Sequence, residues 1–78
     1  MVGYEEALAA AKKLKSFIDT CDEYSNAYVF KSEADRFSIG GNGPCCILKK
    51  DGRAVNFTEY IDVYAGEFIK TITVPSDK

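Results

Sequence analysis

Cys21, Cys45 and Cys46 are the most reactive side chains in this 78-residue chain. A cysteine nucleophile needs a neighbouring base or a positive environment to form its thiolate. The chain has no His, so the commonest general base near neutral pH and the commonest metal ligand are both missing. The cysteines also lack C-x-x-C spacing, and zinc needs four well-placed ligands. They therefore read as small apolar residues of a core. An odd count with two adjacent members does not suit a disulfide framework, and reduced thiols in a cytoplasm are the simpler expectation. Glu59 with Asp62, and Glu33 with Asp35, could supply paired carboxylates, but short spacing alone neither spans a substrate nor shifts a pKa. These residues predict no catalytic group, no metal and no cofactor.

Two segments remain as candidate contact surfaces. The first is the Gly-rich stretch Gly40, Gly41, Asn42, Gly43 and Pro44, since stacked backbone N–H groups in such loops can cradle anions. It matches neither G-x-G-x-x-G nor G-x-x-x-x-G-K-[ST], and it leads into a strand rather than a helix. A structural turn is the simpler reading; if it binds a partner, Asn42 and the backbone at Gly40, Gly41 and Gly43 make the contacts. The second is an acidic run, Asp19, Asp22, Glu23, Glu33 and Asp35, offset only by Lys31 and Arg36. Such a run is commonly a solvated face, but Asp22, Glu23, Glu33 and Asp35 could also meet a protein partner with a basic surface.

Other partners are disfavoured. Ten Lys and Arg against twelve Asp and Glu give a net charge of −2, which offers no grip on a phosphate backbone. Tyr24, Tyr28, Tyr60, Tyr64 and Phe30 could stack bases, but without a basic groove they read as core and rim. The N-terminus carries Glu5 and Glu6 where a signal peptide needs basic residues. No apolar run approaches the roughly 20 residues that span a bilayer. Nucleic acid and membrane are therefore not expected partners.

Periodicity supplies the elements that must position these residues. Tyr4, Ala7, Leu8, Ala11, Leu14 and Phe17 or Ile18 recur at helical spacing and predict an amphipathic helix over about 4–17. Glu5 and Glu6 near its start and Lys12, Lys13 and Lys15 near its end suit the helix dipole. Ser25 and Asn26 offer turn chemistry before a β-prone run at 27–32, which could pair with a looser strand before it. Residues 45–48 and 54–57 flank Asp51-Gly52 and predict a hairpin. A two-residue turn would pair Leu48 with Val55 and put Cys46, Leu48, Val55 and Phe57 on one face. A three-residue loop, favoured for its lower strain, would pair Lys49 with Arg53 and put Cys45, Ile47, Val55 and Phe57 together. Either way the two adjacent cysteines face opposite sides. Residues 58–65 read as a short helix with Tyr60, Ile61 and Tyr64 on one side, capped by Thr58 or by Asn56, and stopped by Gly66. A β-branched strand over 67–74 ends at Pro75, and 76–78 reads as a frayed tail.

The expected architecture is a single α+β domain over 1–78: an amphipathic helix packed on a curved antiparallel sheet of about four strands, with a short helix before the last strand. Burial of only about 60% of the unfolded surface at this length leaves a thin core.

The order helix, aromatic β-prone run, Gly41-Asn42-Gly43-Pro44, apolar strand, Lys49-Lys50-Asp51-Gly52 turn, return strand and Glu59-Tyr60-Ile61 with Tyr64 resembles the small bacterial YrhB-type domain. That group is linked to immunity proteins of polymorphic toxin systems. The chain is also similar to small proteins of gut Firmicutes, from which no role follows. It departs from the YrhB-type pattern in carrying Tyr28-Val29-Phe30 where a Trp-containing strand is common, and in being shorter at both ends. The resemblance implies an antiparallel α+β domain that acts by binding a protein and lacks catalytic activity. Three functions are therefore expected in descending order: a binding domain, immunity-like in character; a self-associating module, monomeric or weakly dimeric; and a small carboxylate or thiol enzyme.

Overall fold

The computed structural model describes residues 1–14, 18–32 and 44–74. They form a helix α1 (Tyr4–Leu14), strands β1 (Thr20–Tyr24), β2 (Ala27–Lys31), β3 (Cys45–Leu48) and β4 (Ala54–Asn56), a short helix α2 (Phe57–Glu59) continuing into a π-helical turn (Tyr60–Tyr64), and strand β5 (Phe68–Thr73). The strands make one antiparallel sheet in the order β4-β3-β2-β1-β5. The α+β class and the placement of both helices agree with expectation. The sheet has five strands rather than about four, because polar residues 20–24 form a full ladder between β2 and β5.

Strand β2 lies at the centre, and Ala27, Tyr28, Val29 and Phe30 are all buried. Successive side chains of a strand point to opposite faces, so a strand buried throughout must be covered on both sides. On one face Tyr28, Phe30, Ile47 and Cys21 pack with Ala7 and Ala11 of α1. The two alanines are one helical turn apart, and their small size lets the helix backbone lie close to the sheet. On the other face Ala27, Val29, Cys46, Leu48 and Val55 pack with Tyr60. The thin core is thus two thin layers separated by the sheet. Leu14 lies outside both and is exposed, contrary to its expected place on the buried stripe; the expected continuation to Phe17 lies outside the described residues.

The β3–β4 hairpin corrects both expected registers. Cys46 stands opposite Val55 and Ile47 opposite Ala54, so the next pair is Leu48 with Arg53. The Leu48 N–H donates to the Arg53 carbonyl at 2.9 Å. Residues 49–52 therefore form a four-residue loop. Asp51 Oδ1 accepts the Arg53 N–H at 3.0 Å, and the Leu48 carbonyl takes the Gly52 N–H instead, at 2.8 Å. Gly52 closes the turn at φ 76°, which glycine adopts at little cost. This pairing is displaced by two positions from that of a two-residue turn, and a shift of two preserves the faces. Cys46, Leu48, Val55 and Phe57 consequently share one core, whereas the favoured grouping of Cys45 and Ile47 with Val55 does not occur. Cys45 packs on the α1 side and Cys46 on the other, so the two do face opposite sides.

The short helix starts at Phe57, with Asn56 as its cap: Asn56 Oδ1 accepts the Glu59 N–H at 2.7 Å. Its end differs from expectation. The left-handed residue is Ala65, at φ 34° and ψ 57°, and not Gly66. The Ala65 N–H donates to the Tyr60 carbonyl at 2.9 Å, a five-residue span that widens the last turn. Tyr60 and Tyr64 stack at 6.3 Å, while Ile61 is turned outward and is 51% exposed.

Candidate functional site

The acidic residues singled out in the sequence do not make one described surface. Asp22 and Glu23 are consecutive on β1 and so project to opposite faces of the sheet. Asp22 pairs with Lys31 Nζ at 2.8 Å and accepts the Thr71 hydroxyl at 2.8 Å. Glu23 pairs with Lys49 Nζ at 2.7 Å, with the two side chains only 17% and 11% exposed. The same ammonium lies 4.8 Å from the centroid of the Tyr28 ring, an arrangement that adds cation–π attraction. Both carboxylates therefore fasten the molecule's own strands. Glu33, Asp35, Gly40, Gly41, Asn42 and Gly43 lie outside the described residues.

The thiols sit where apolar residues would. Cys21 and Cys46 have no exposed surface, and burial pushes both from 9.0 up to about 12. Asp22 and Glu23 add to the rise at Cys21, and Cys45 adds to it at Cys46. A thiol so raised is a poor nucleophile at neutral pH. Cys45 is half-buried, and all three are unbridged. At about pH 8, Ellman's reagent is expected to titrate at most one thiol of the native protein, at Cys45, and all three only after unfolding. Rapid modification of a second native thiol would contradict this packing. The same shift has a stability consequence. Below about pH 9 the two buried thiols are protonated whether the chain is folded or not, and their contribution is fully present. Above it the unfolded chain ionises first, so stability falls as pH rises from about 9 towards 12.

Tyr60 anchors a polar cluster beneath the π turn. Its hydroxyl donates to Asn26 Oδ1 at 2.6 Å and accepts the Gly66 N–H at 3.0 Å. Asn26 Nδ2 donates to the Tyr64 carbonyl at 3.2 Å. The Ser25 N–H donates to the Glu67 carbonyl at 2.8 Å, and Ser25 Oγ accepts the Glu67 N–H at 3.1 Å. The β1–β2 turn thus holds the segment that leads into β5. These polar groups are spent on one another, so the cluster positions β5. Among the described residues, no group of three His, Cys, Asp or Glu is placed to hold a metal ion.

Strand β5 is what this scaffold leaves presented. Among the described residues it pairs with β1 alone and forms one edge of the sheet. Five of its six residues are exposed, and Ile72 is half-buried. Phe68 and Ile69 are 57% and 52% exposed, with Phe68 edge-on to the Tyr24 ring at 5.7 Å. The opposite edge, β4, has three residues before the chain turns into α2. Sequence reasoning identified the strand but not its edge position, because strand order depends on long-range pairing. No family model, curated protein or solved structure matches this chain.

Proposed function

We propose that this chain is a non-enzymatic binding domain that works through protein–protein contact, with β5 as its contact edge. One observation carries the reading: a six-residue edge strand that is exposed along its length and bears a single charge, Lys70. Such an edge presents a row of backbone donors and acceptors and is the substrate of strand addition. The absence of His and the raised thiols argue against acid–base or cysteine chemistry. A basic partner finds Asp22 and Glu23 already neutralised, so the acidic run is the weaker claimant. An immunity-like role, implied by the YrhB-type resemblance, is one form such contact takes. Three unbridged thiols suit a reducing compartment such as the cytoplasm.

Site-specific photo-crosslinking tests the edge. A benzophenone-bearing residue at position 73 in the native host is expected to give discrete adducts, whereas the same residue at position 51, on the exposed hairpin turn, is expected to give none. Equal labelling from both positions, or no adduct from position 73, would overturn the reading.

A further inference from the structure

We infer that the first occupant of the β5 edge is a second copy of this chain, joined by antiparallel β5–β5 pairing about a two-fold axis centred on Ile72. This rests on the reading of β5 as the contact edge and names its partner.

The backbone sets which groups are available. The Val74 N–H donates to the Asp19 carbonyl at 2.8 Å, one step beyond the Thr20–Thr73 pair. In an antiparallel ladder, hydrogen-bonded and non-hydrogen-bonded pairs alternate. Residues 70, 72 and 74 therefore turn their backbone groups to β1, and Thr71 and Thr73 turn theirs outward. Both threonines are exposed. Two-fold pairing must match Thr71 and Thr73 with outward positions of the other copy, which leaves four registers centred on β5. Centring on Thr73 sets Thr71 against Pro75, which has no N–H to donate. Centring on Lys70 sets Lys70 directly against its own copy, a destabilising like-charge pair. Centring on Thr71 pairs Thr73 with Ile69, which lies within the register shift between the Lys70 and Phe68 pairings. Centring on Ile72 pairs Thr71 with Thr73 twice, giving four backbone hydrogen bonds from regular residues.

Side-chain chemistry favours the same register. Ile72 meets Ile72 of the second copy as a non-hydrogen-bonded pair, the closer of the two kinds, with Cα atoms about 4.5 Å apart. Lys70 falls opposite Val74, and the two Lys70 residues lie four strand positions apart, about 14 Å along the strand. The strand is thus self-complementary: the apolar centre meets itself and its one charge avoids itself, as an isologous contact requires. A single strand pair buries less than a stable dimer needs, so the dimer forms reversibly and at high concentration. The β4 edge, with three residues, offers too short a ladder to compete.

Amide hydrogen exchange and sedimentation on the intact chain decide the matter. Between about 10 μM and about 1 mM, the weight-average mass is expected to rise towards twice that of the chain. Over the same range the Thr71 and Thr73 amides should gain about tenfold protection or more, with Lys50 unchanged as an exposed turn amide. Thr73→Pro removes one outward N–H without touching the β1 ladder and should abolish both changes, whereas Thr73→Val should keep them. Concentration-independent exchange at Thr71 and Thr73 overturns the proposal in the native chain, whatever the variants do. Crosslinking then separates the two claims. A position-73 adduct with other proteins from a chain that stays monomeric rejects the second copy and keeps the contact edge, while no adduct of any kind rejects both.

Discussion

Gly66→Ala is expected to destabilise the domain by about 3 kcal/mol, the sum of overpacking and of broken hydrogen bonds. A Cβ at this position would overlap Asn26 Oδ1 and would come within 2.6 Å of Asn26 Cγ and 2.9 Å of Ser25 Oγ. Asn26 cannot retreat freely, because Oδ1 receives the Tyr60 hydroxyl and Nδ2 serves the Tyr64 carbonyl. Pushing it aside leaves polar groups beneath the π turn without partners. The neighbouring substitution should act in the opposite direction. Ala65 occupies left-handed backbone at φ 34°, which costs a residue with a Cβ about 1 kcal/mol relative to glycine. Ala65→Gly is therefore expected to be neutral or to stabilise by up to about 1 kcal/mol, after the entropy that glycine adds to the unfolded chain. Urea denaturation of the two variants checks the pair. Equal tolerance of both substitutions would mean that Asn26 does not pack against Gly66 as described.

Phe30→Ala is expected to cost about 4 kcal/mol, the range for emptying a buried aromatic site. Phe30 has no exposed surface and lies at the centre of the layer beneath α1, with the rings of Tyr4 and Tyr28 at 6.1 and 6.3 Å. A domain of this length has roughly 4 to 12 kcal/mol of stability to lose, so the variant should give up about a third of it or more. Phe30→Leu keeps most of the volume and should lose only about 1.5 kcal/mol. Thermal and urea unfolding followed by near-ultraviolet circular dichroism measure both. An alanine variant within 1 kcal/mol of the parent would show that the α1 layer contributes little to holding the sheet together.

Those two sites differ in how far the sequence exposes them. Phe30 lies in a continuous apolar, β-prone run, and its burial follows from that composition. Gly66 also stands out in the sequence, but for another reason: a glycine after a short helix reads as a left-handed stop. Its actual constraint is a close approach by Asn26, forty residues away in the chain, and no local pattern carries that information. The hairpin repeats the lesson. Asp51-Gly52 marks the turn, yet its loop length depends on which N–H the Leu48 carbonyl receives, and Asp51 tips that choice by taking the Arg53 N–H.

The candidate site was the less legible part. Asp22 and Glu23 look like an acidic surface when read as neighbours in a polar run. Placed on β1, they separate to opposite faces and find Lys31 on the adjacent strand β2 and Lys49 in the loop after β3. The half of the acidic run at Glu33 and Asp35, like the Gly40 to Gly43 segment, lies outside the described residues. Lys49 reads as a turn residue, and its contact with both Glu23 and the Tyr28 ring arises only because β3 lies beside β2.

The α+β class, the amphipathic N-terminal helix, the strands around Asp51-Gly52 and the opposed orientation of Cys45 and Cys46 are legible in the order of residues alone. All of these follow from periodicities of two and 3.6 residues and from turn chemistry, which act within a few residues of each other. The central place of β2 with cover on both faces, the internal ion pairs of Asp22 and Glu23, and the edge position of β5 emerge from the assembled fold instead. Strand order is a matter of long-range pairing, set by which apolar faces can be buried together once the chain has collapsed, and adjacent residues carry almost no record of it.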